Sequence, residues 1–159
     1  MLDFQQLVDI VKPIAGEIGT DENSSPKAIL LAPSQLKKIC HELYCNPTTY
    51  FDMLSCLTGI DNGPEANTLE VAYNLYSIPF NHSLMLKVKL LRESAEVDSV
   101  SDIWRTANWH ERETAEMFGI TFINHPDPRR LLLPADWVGH PLRKDYQHQE
   151  KYRDVTVKY

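Results

Sequence analysis

Thr68-Leu69-Glu70-Val71-Ala72-Tyr73-Asn74-Leu75-Tyr76-Ser77 is followed, after a break at residues 79–82, by Leu84-Met85-Leu86-Lys87-Val88-Lys89-Leu90. In the first run Leu69, Val71, Tyr73 and Leu75 fall on one side of an extended chain, and Glu70, Ala72 and Asn74 on the other. In the second, Leu84, Leu86, Val88 and Leu90 oppose Lys87 and Lys89. Alternation with a period of two predicts half-buried strands. The connection is too short for a crossover, so the two pair antiparallel, with one dry face and one wet face.

Working outward, Asp61-Asn62-Gly63-Pro64 is a strong turn signal. The mostly apolar Tyr50–Ile60 before it reads as another strand, and Lys27–Ala32 as a short buried one. Residues 21–26 are polar loop. Phe4, Leu7, Val8 and Val11 sit at helical spacing within residues 2–12, and Pro13 is expected to end or kink that helix. A second helix opens at Pro33-Ser34 with Ser34 as its N-cap. Leu36, Ile39, Cys40 and Leu43 form its inner stripe, and Asn46-Pro47 stops it. Ile103 to Phe118 reads as a third helix ended by Gly119. The expected architecture is α+β: an antiparallel sheet of about four strands with helices on one face, occupying residues 1–118.

Residues 119–159 read differently. Pro126, Pro128, Pro134 and Pro141 interrupt any ladder or helix, and no period is sustained after Phe122. A long segment without regular structure is commonly functional or disordered. Leu131, Leu132, Leu133, Trp137, Val138 and Leu142 make it too apolar for plain disorder. The segment is therefore expected to be an extended partner-docking arm, mobile until its partner is present.

The chain has 159 residues, enough for one domain with a real core. Its net charge of −6 argues against nucleic acid as the main partner. No apolar run approaches a membrane span, and Met1-Leu2-Asp3-Phe4 lacks the features of a signal peptide, so a cytoplasmic location is expected. Residues 111–159 hold five of the seven arginines. Arginine suits desolvated pairing with carboxylates because its planar fork binds two oxygens at once. Cys40, Cys45 and Cys56 lack the spacing of zinc or iron–sulfur ligands, so free thiols are expected and no metal is assigned.

The chemistry-bearing residues cluster at the end of the third helix and beyond, from Trp109-His110-Glu111-Arg112-Glu113 through Glu116 to His125, Arg129 and Arg130. Arg112 and Glu116 are four apart on a helix and can pair. Glu111 lies beside the apolar stripe, where a carboxylate is costly to bury unpaired. His110-Glu111 lacks the second histidine that a helical zinc motif needs, since Thr114 stands there. Glu111 with Glu113 or Glu116 could act as acid and base. No phosphate loop, nucleophile elbow or Walker-type lysine accompanies them, so an independent hydrolase using Glu111, Glu113 and His125 is the weaker reading. The prolines around Asp127 stiffen the arm and lower the entropy lost on docking. Arg129 and Arg130 could then pair with a partner's acids while the leucines and Trp137 anchor the apolar centre.

The run Glu111-Arg112-Glu113, Glu116-Met117-Phe118, His125, Arg129 and Leu131-Leu132, continued by Gly139-His140-Pro141-Leu142-Arg143-Lys144-Asp145-Tyr146, resembles the signature of the C-type subunit of NADH-quinone oxidoreductase, the 30 kDa subunit family of respiratory complex I. The resemblance implies a non-catalytic subunit of the peripheral arm of a proton-translocating NADH:quinone oxidoreductase, on the cytoplasmic side of the membrane and touching it only indirectly. It implies no catalytic, cofactor-binding or metal-binding residue here. FMN, the iron–sulfur clusters and the quinone would lie in partner subunits, chiefly the quinone-site (D-type) subunit and the cluster-bearing (B-type and I-type) subunits. Glu111, Arg112, Glu113, Glu116, His125, Arg129, Arg130, Leu131, Leu132, Trp137, Arg143, Asp145 and Tyr146 would be interface and folding determinants. The end soon after Tyr146 suggests the stand-alone form rather than a fused C–D form. The alternative assembly is a related membrane-bound hydrogenase or ferredoxin-linked dehydrogenase.

Overall fold

A computed structural model describes residues 2–157. Helix α1 (Phe4–Ala15) starts at a reciprocal cap. The Asp3 carboxylate accepts the Gln6 N–H at 2.8 Å, and the Gln6 side chain accepts the Asp3 N–H at 2.9 Å. The helix runs through Pro13, because a proline in the last turn frees only one carbonyl there, and closes at Gly16. Helix α2 (Pro33–Cys45) is capped at Ala32 rather than Ser34. Pro33 takes the first helical position, where its fixed φ and missing N–H are harmless, so the cap falls earlier than expected. Leu36, Ile39, Cys40 and Leu43 are all fully buried.

Strands β1 (Gly19–Asp21), β2 (Ala28–Leu31), β3 (Met53–Asp61), β4 (Thr68–Ser77) and β5 (His82–Leu91) form a five-stranded sheet in the order β1-β2-β5-β4-β3. β4 and β5 pair antiparallel from Thr68↔Leu91 to Ser77↔His82. The two leucine-rich rows predicted to share a face do share it, and α1 and α2 bury their stripes in the same cluster. Lys87 and Lys89 stand on the opposite face, where Ala28, Ala72 and Met85 make a small second apolar group. Two features depart from the expected sheet. β1 adds a fifth strand from three residues with no alternation, and β2 joins β5 in parallel.

A one-turn 3-10 helix (Arg92–Ser94) and β6 (Glu96–Asp98) lead to α3 (Ala107–Phe118). α3 starts later than its apolar spacing predicts. Ile103 and Trp104 instead donate their N–H groups to the Val100 carbonyl in a tight turn, both at 3.0 Å. The α3 C-terminus lies over β3, with the Phe118 ring filling the space above Gly59. A Cβ at Gly59 would come within 2.5 Å of that ring, so only glycine lets helix and strand approach this closely. Gly119, at φ +69°, reverses the chain. β7 (Thr121–Ile123) then pairs in parallel with β6. Beyond Asn124 the chain has no regular elements until a short hairpin, β8 (Lys151–Tyr152) and β9 (Val155–Thr156).

Candidate interface site

Glu111 projects from α3 into the core and is fully buried. Its Oε2 accepts the Ser99 hydroxyl at 2.6 Å and its Oε1 the Val100 N–H at 2.8 Å, which fixes the turn that precedes the helix. Burial pushes its carboxyl up to about 7, although the Ser99 and Val100 hydrogen bonds pull the other way. The His125 Nε2 lies 3.7 Å from Oε2, too far for a hydrogen bond. His125 Nδ1 accepts the Asp127 N–H at 3.0 Å, so Nε2 carries the proton and donates to the Asn108 carbonyl at 3.2 Å. His125 thus splices the start of the arm onto α3, with Glu111 buried beneath it. Glu113 points to solvent, so the Glu111–Glu113–His125 grouping of the hydrolase reading is not assembled.

Arg112 and Glu116 do not pair with each other as their spacing suggested. Each takes backbone groups of the arm instead, because the arm passes with orphan carbonyls and amides that nothing else satisfies. Arg112 donates to the carbonyls of Arg129 at 2.8 Å and Arg130 at 3.2 Å, and its guanidinium lies 5.5 Å from the Trp109 ring. The Glu116 carboxylate accepts three consecutive N–H groups: Leu131 at 3.2 Å, Leu132 at 2.8 Å and Leu133 at 2.7 Å. Three amides converging on one buried carboxylate form a charge-assisted cage. Where the sequence predicts an arm that orders on a partner, the structure gives this part of it a first anchor on its own helix.

The end of α3 is closed by the same arm. A helix leaves its last four carbonyls without partners. Here the carbonyls from Glu116 onward are met in order: Glu116 by His140 Nδ1 at 2.9 Å, Met117 by the Leu142 N–H at 3.2 Å, Phe118 by Arg143 Nε at 2.6 Å and Gly119 by Arg143 Nη2 at 3.4 Å. A cation at this end also matches the helix dipole. Gly119 has no room for a Cβ, which would meet His140 at 2.5 Å.

A third anchor has, Asp145 apart, no signal in the sequence. Arg92, buried at the end of β5, forks onto Asp61 and also reaches Asp145 of the arm. Asp61 further accepts the Gly63 N–H at 2.8 Å and the Lys144 N–H at 2.7 Å. Burial alone would raise the Asp61 carboxyl, but Arg92 and the two amides outweigh it and hold it at about 2. Asp61 reads as a turn residue and nothing singles out Arg92; only their meeting across the fold gives them a role. Ser99 escapes a sequence reading for the same reason.

The remaining expected residues lie at or near the surface. Arg129 is exposed and closes on Asp127 through two bonds of 2.6 and 2.8 Å, holding that carboxyl well below its usual range. Leu131 and Leu133 are half-buried, whereas Leu132, Val138 and Leu142 are 61%, 72% and 56% exposed. Trp137 is half-buried against Tyr152, with ring centroids 5.4 Å apart, and its Nε1–H meets no acceptor among the described residues. Tyr146 packs on Gly139. Among the described residues no three His, Cys, Asp or Glu side chains are placed to share a metal ion. No helix there is long and apolar enough to cross a membrane.

The family model of the respiratory-chain NADH dehydrogenase 30 kDa subunit matches residues 29–152. The chain is 44% identical over 115 residues to the NADH-quinone oxidoreductase C subunit of Chlorobium phaeobacteroides, covering 72% of this chain and 69% of that one. Identity is 47% over 110 residues to the C subunit of Chloroherpeton thalassium, covering 69% of this chain but only 45% of the relative. It is 45% over 108 residues to an NADH-quinone oxidoreductase C/D subunit of Buchnera aphidicola, covering 64% of this chain and 19% of that longer protein. Among solved structures, a trypsin-resistant fragment (1–134) of Nqo5 superposes with a TM-score of 0.63 at 25% identity, covering 76% of this chain and 98% of the fragment. A chain of an archaeal membrane-bound sulfane sulfur reductase has the same fold, with a TM-score of 0.67 at 17% identity over 90% of this chain and 85% of its own. The chain therefore belongs to the 30 kDa subunit family of the respiratory-chain NADH dehydrogenase.

Proposed function

We propose that this chain is a non-catalytic peripheral-arm subunit of a proton-translocating NADH:quinone oxidoreductase, acting by holding its neighbours in register. The observation that carries this reading is the arm: α3 fixes its backbone while Leu132, Val138 and Leu142 stay exposed. Fixed backbone with exposed apolar side chains is preorganised for docking, since less entropy is lost when a partner arrives. Electron tunnelling falls steeply with distance, so a scaffold that fixes cluster spacing affects turnover without touching an electron.

The partners we assign are the quinone-site (D-type) subunit and the cluster-bearing (B-type and I-type) subunits. FMN, the clusters and the quinone then belong to other chains. The Buchnera relative, named as a C/D subunit, supports adjacency to the quinone-site chain. The assembly would sit on the cytoplasmic face of the membrane, and this chain would touch the membrane only through it. The alternative, a matching subunit in a different membrane-bound respiratory complex, has in its favour the fold shared with the sulfane sulfur reductase chain. The test is to replace Leu132 and Leu142 with aspartate, then measure co-purification of the quinone-site subunit together with NADH:quinone reductase activity. Loss of both is expected. Normal assembly and activity would remove the docking role.

A further inference from the structure

The two adjacent arginines of the arm are in different states. Arg129 commits its fork to Asp127, and Arg112 leans on that same carboxylate at 3.6 Å. Arg130 meets no carboxylate among the described residues. Its Nη1 donates to the carbonyls of Pro134 and Trp137, each at 2.9 Å, and this leaves Nε and Nη2 without an acceptor there. The Glu116 carboxylate beside it cannot compensate, because its oxygens already hold three amides.

These groups line one cavity of about 150 Å³ between α3 and the arm, walled by Arg112, Glu116, Arg129, Arg130 and His140. Three arginines line it, against one carboxylate in the lining, Glu116, and one beside it, Asp127, both already engaged. A local surplus of positive charge on a chain of net charge −6 marks a place for an anion. The cavity suits a single side-chain carboxylate, which a guanidinium edge binds through two parallel bonds. Leu132, exposed on the following stretch of arm, offers apolar contact to the residues around that acid.

Resting on the docking role above, we infer that Arg130 receives an aspartate or glutamate side chain from a neighbouring polypeptide, while Arg129 shapes the arm through Asp127. R130K tests this. It keeps one cation to hold the Pro134 and Trp137 carbonyls but replaces the fork with an amine. In the complex assembled around R130K, a zero-length carbodiimide joins that amine to any carboxylate in contact, with loss of water. Mass spectrometry then locates the amide. We expect a cross-link to an aspartate or glutamate of another polypeptide. R130E, with the thermal midpoint of the isolated chain near wild type, is expected to retain at least ~10-fold less partner. An assembled R130K complex without an amide to a neighbouring polypeptide overturns the proposal while leaving the docking role intact; normal assembly of the Leu132 and Leu142 variants overturns the docking role itself. Saturable chemical-shift changes around Arg130 when the isolated chain is titrated with inorganic phosphate would point to a free anion and also overturn it.

Discussion

The body of the molecule and its arm hold their shapes by different physics. In the body, two rows of leucine, valine and tyrosine on β4 and β5 meet the stripes of α1 and α2, and the contacts are almost wholly apolar. In residues 125–146 the backbone is held by charged side chains of the body, Arg112, Glu116 and Asp61, that take its amides and carbonyls, while Arg143 of the arm reaches back to the last carbonyls of α3. Apolar burial is non-directional and cooperative, so a defect there is felt throughout. A carboxylate caging three amides is directional, so a defect there releases one loop. The two regions should therefore fail separately.

The largest expected effect lies in the body. Leu86 is fully buried at the centre of the sheet, and Leu86→Ala should cost about 2–5 kcal/mol by leaving a cavity. Urea unfolding should show one cooperative transition at a lower midpoint. A shift confined to the arm would erase the distinction between the regions.

Glu111, at the seam between them, should produce a pH effect of comparable size. Its carboxyl titrates at about 7 when folded, against 4.5 for an ordinary glutamate. Between these values the folded chain keeps a proton that the unfolded chain releases. Stability is therefore full below about 4.5, declines as pH rises, and levels off above about 7, a loss of about 3 kcal/mol. Glu111→Gln cannot ionise, so its stability relative to wild type should rise over this interval. Parallel stability profiles for the two proteins would contradict the assignment. Asp61 acts with the opposite sign, since its carboxyl is depressed to about 2. Its contribution is present above 3.8 and is lost as pH falls through about 2.

The smallest global effect belongs to the arm. Glu116→Ala leaves the Leu131, Leu132 and Leu133 N–H groups without their acceptor, a local cost of about 1–3 kcal/mol. Amide exchange and proteolysis between residues 125 and 140 should quicken, while protection of β4 and β5 stays unchanged. Equal exchange in the arm of both proteins would show that the cage does not hold it.

This contrast also explains what the sequence could reveal. The sheet was legible because burial imposes a period of two on β4 and β5, and the stripe of α2 because it imposes 3.6. β1 carries no such imprint; backbone bonds pair it at the sheet edge, helped by one ion pair from Asp21 to Lys87 at 2.8 Å. The N-cap of α2 and the start of α3 were displaced by Pro33 and by the Val100 turn, local effects that periodicity does not encode. At the candidate site, residue types and spacing picked out Glu111, Glu116 and His125, and the family resemblance added Arg143. They could not say that Arg112 and Glu116 would forgo each other for the arm backbone, nor that Arg92 and Asp61 would reach Asp145 and Lys144. Those contacts join residues up to 83 positions apart, and nothing in a linear pattern records such a meeting.

Beyond Arg130 the arm touches the body at three successive places: Glu116 with the leucine amides, His140 and Arg143 with the end of α3, and Asp145 with Arg92. A load applied beyond Tyr146 would reach them in reverse order of sequence. It would be borne first by Arg92 and Asp61, at the ends of β5 and β3, then by the helix terminus, and by the Glu116 cage last. A pull on the arm is therefore shared among two strand ends, a helix terminus and a helix face, so that no single element bears it alone.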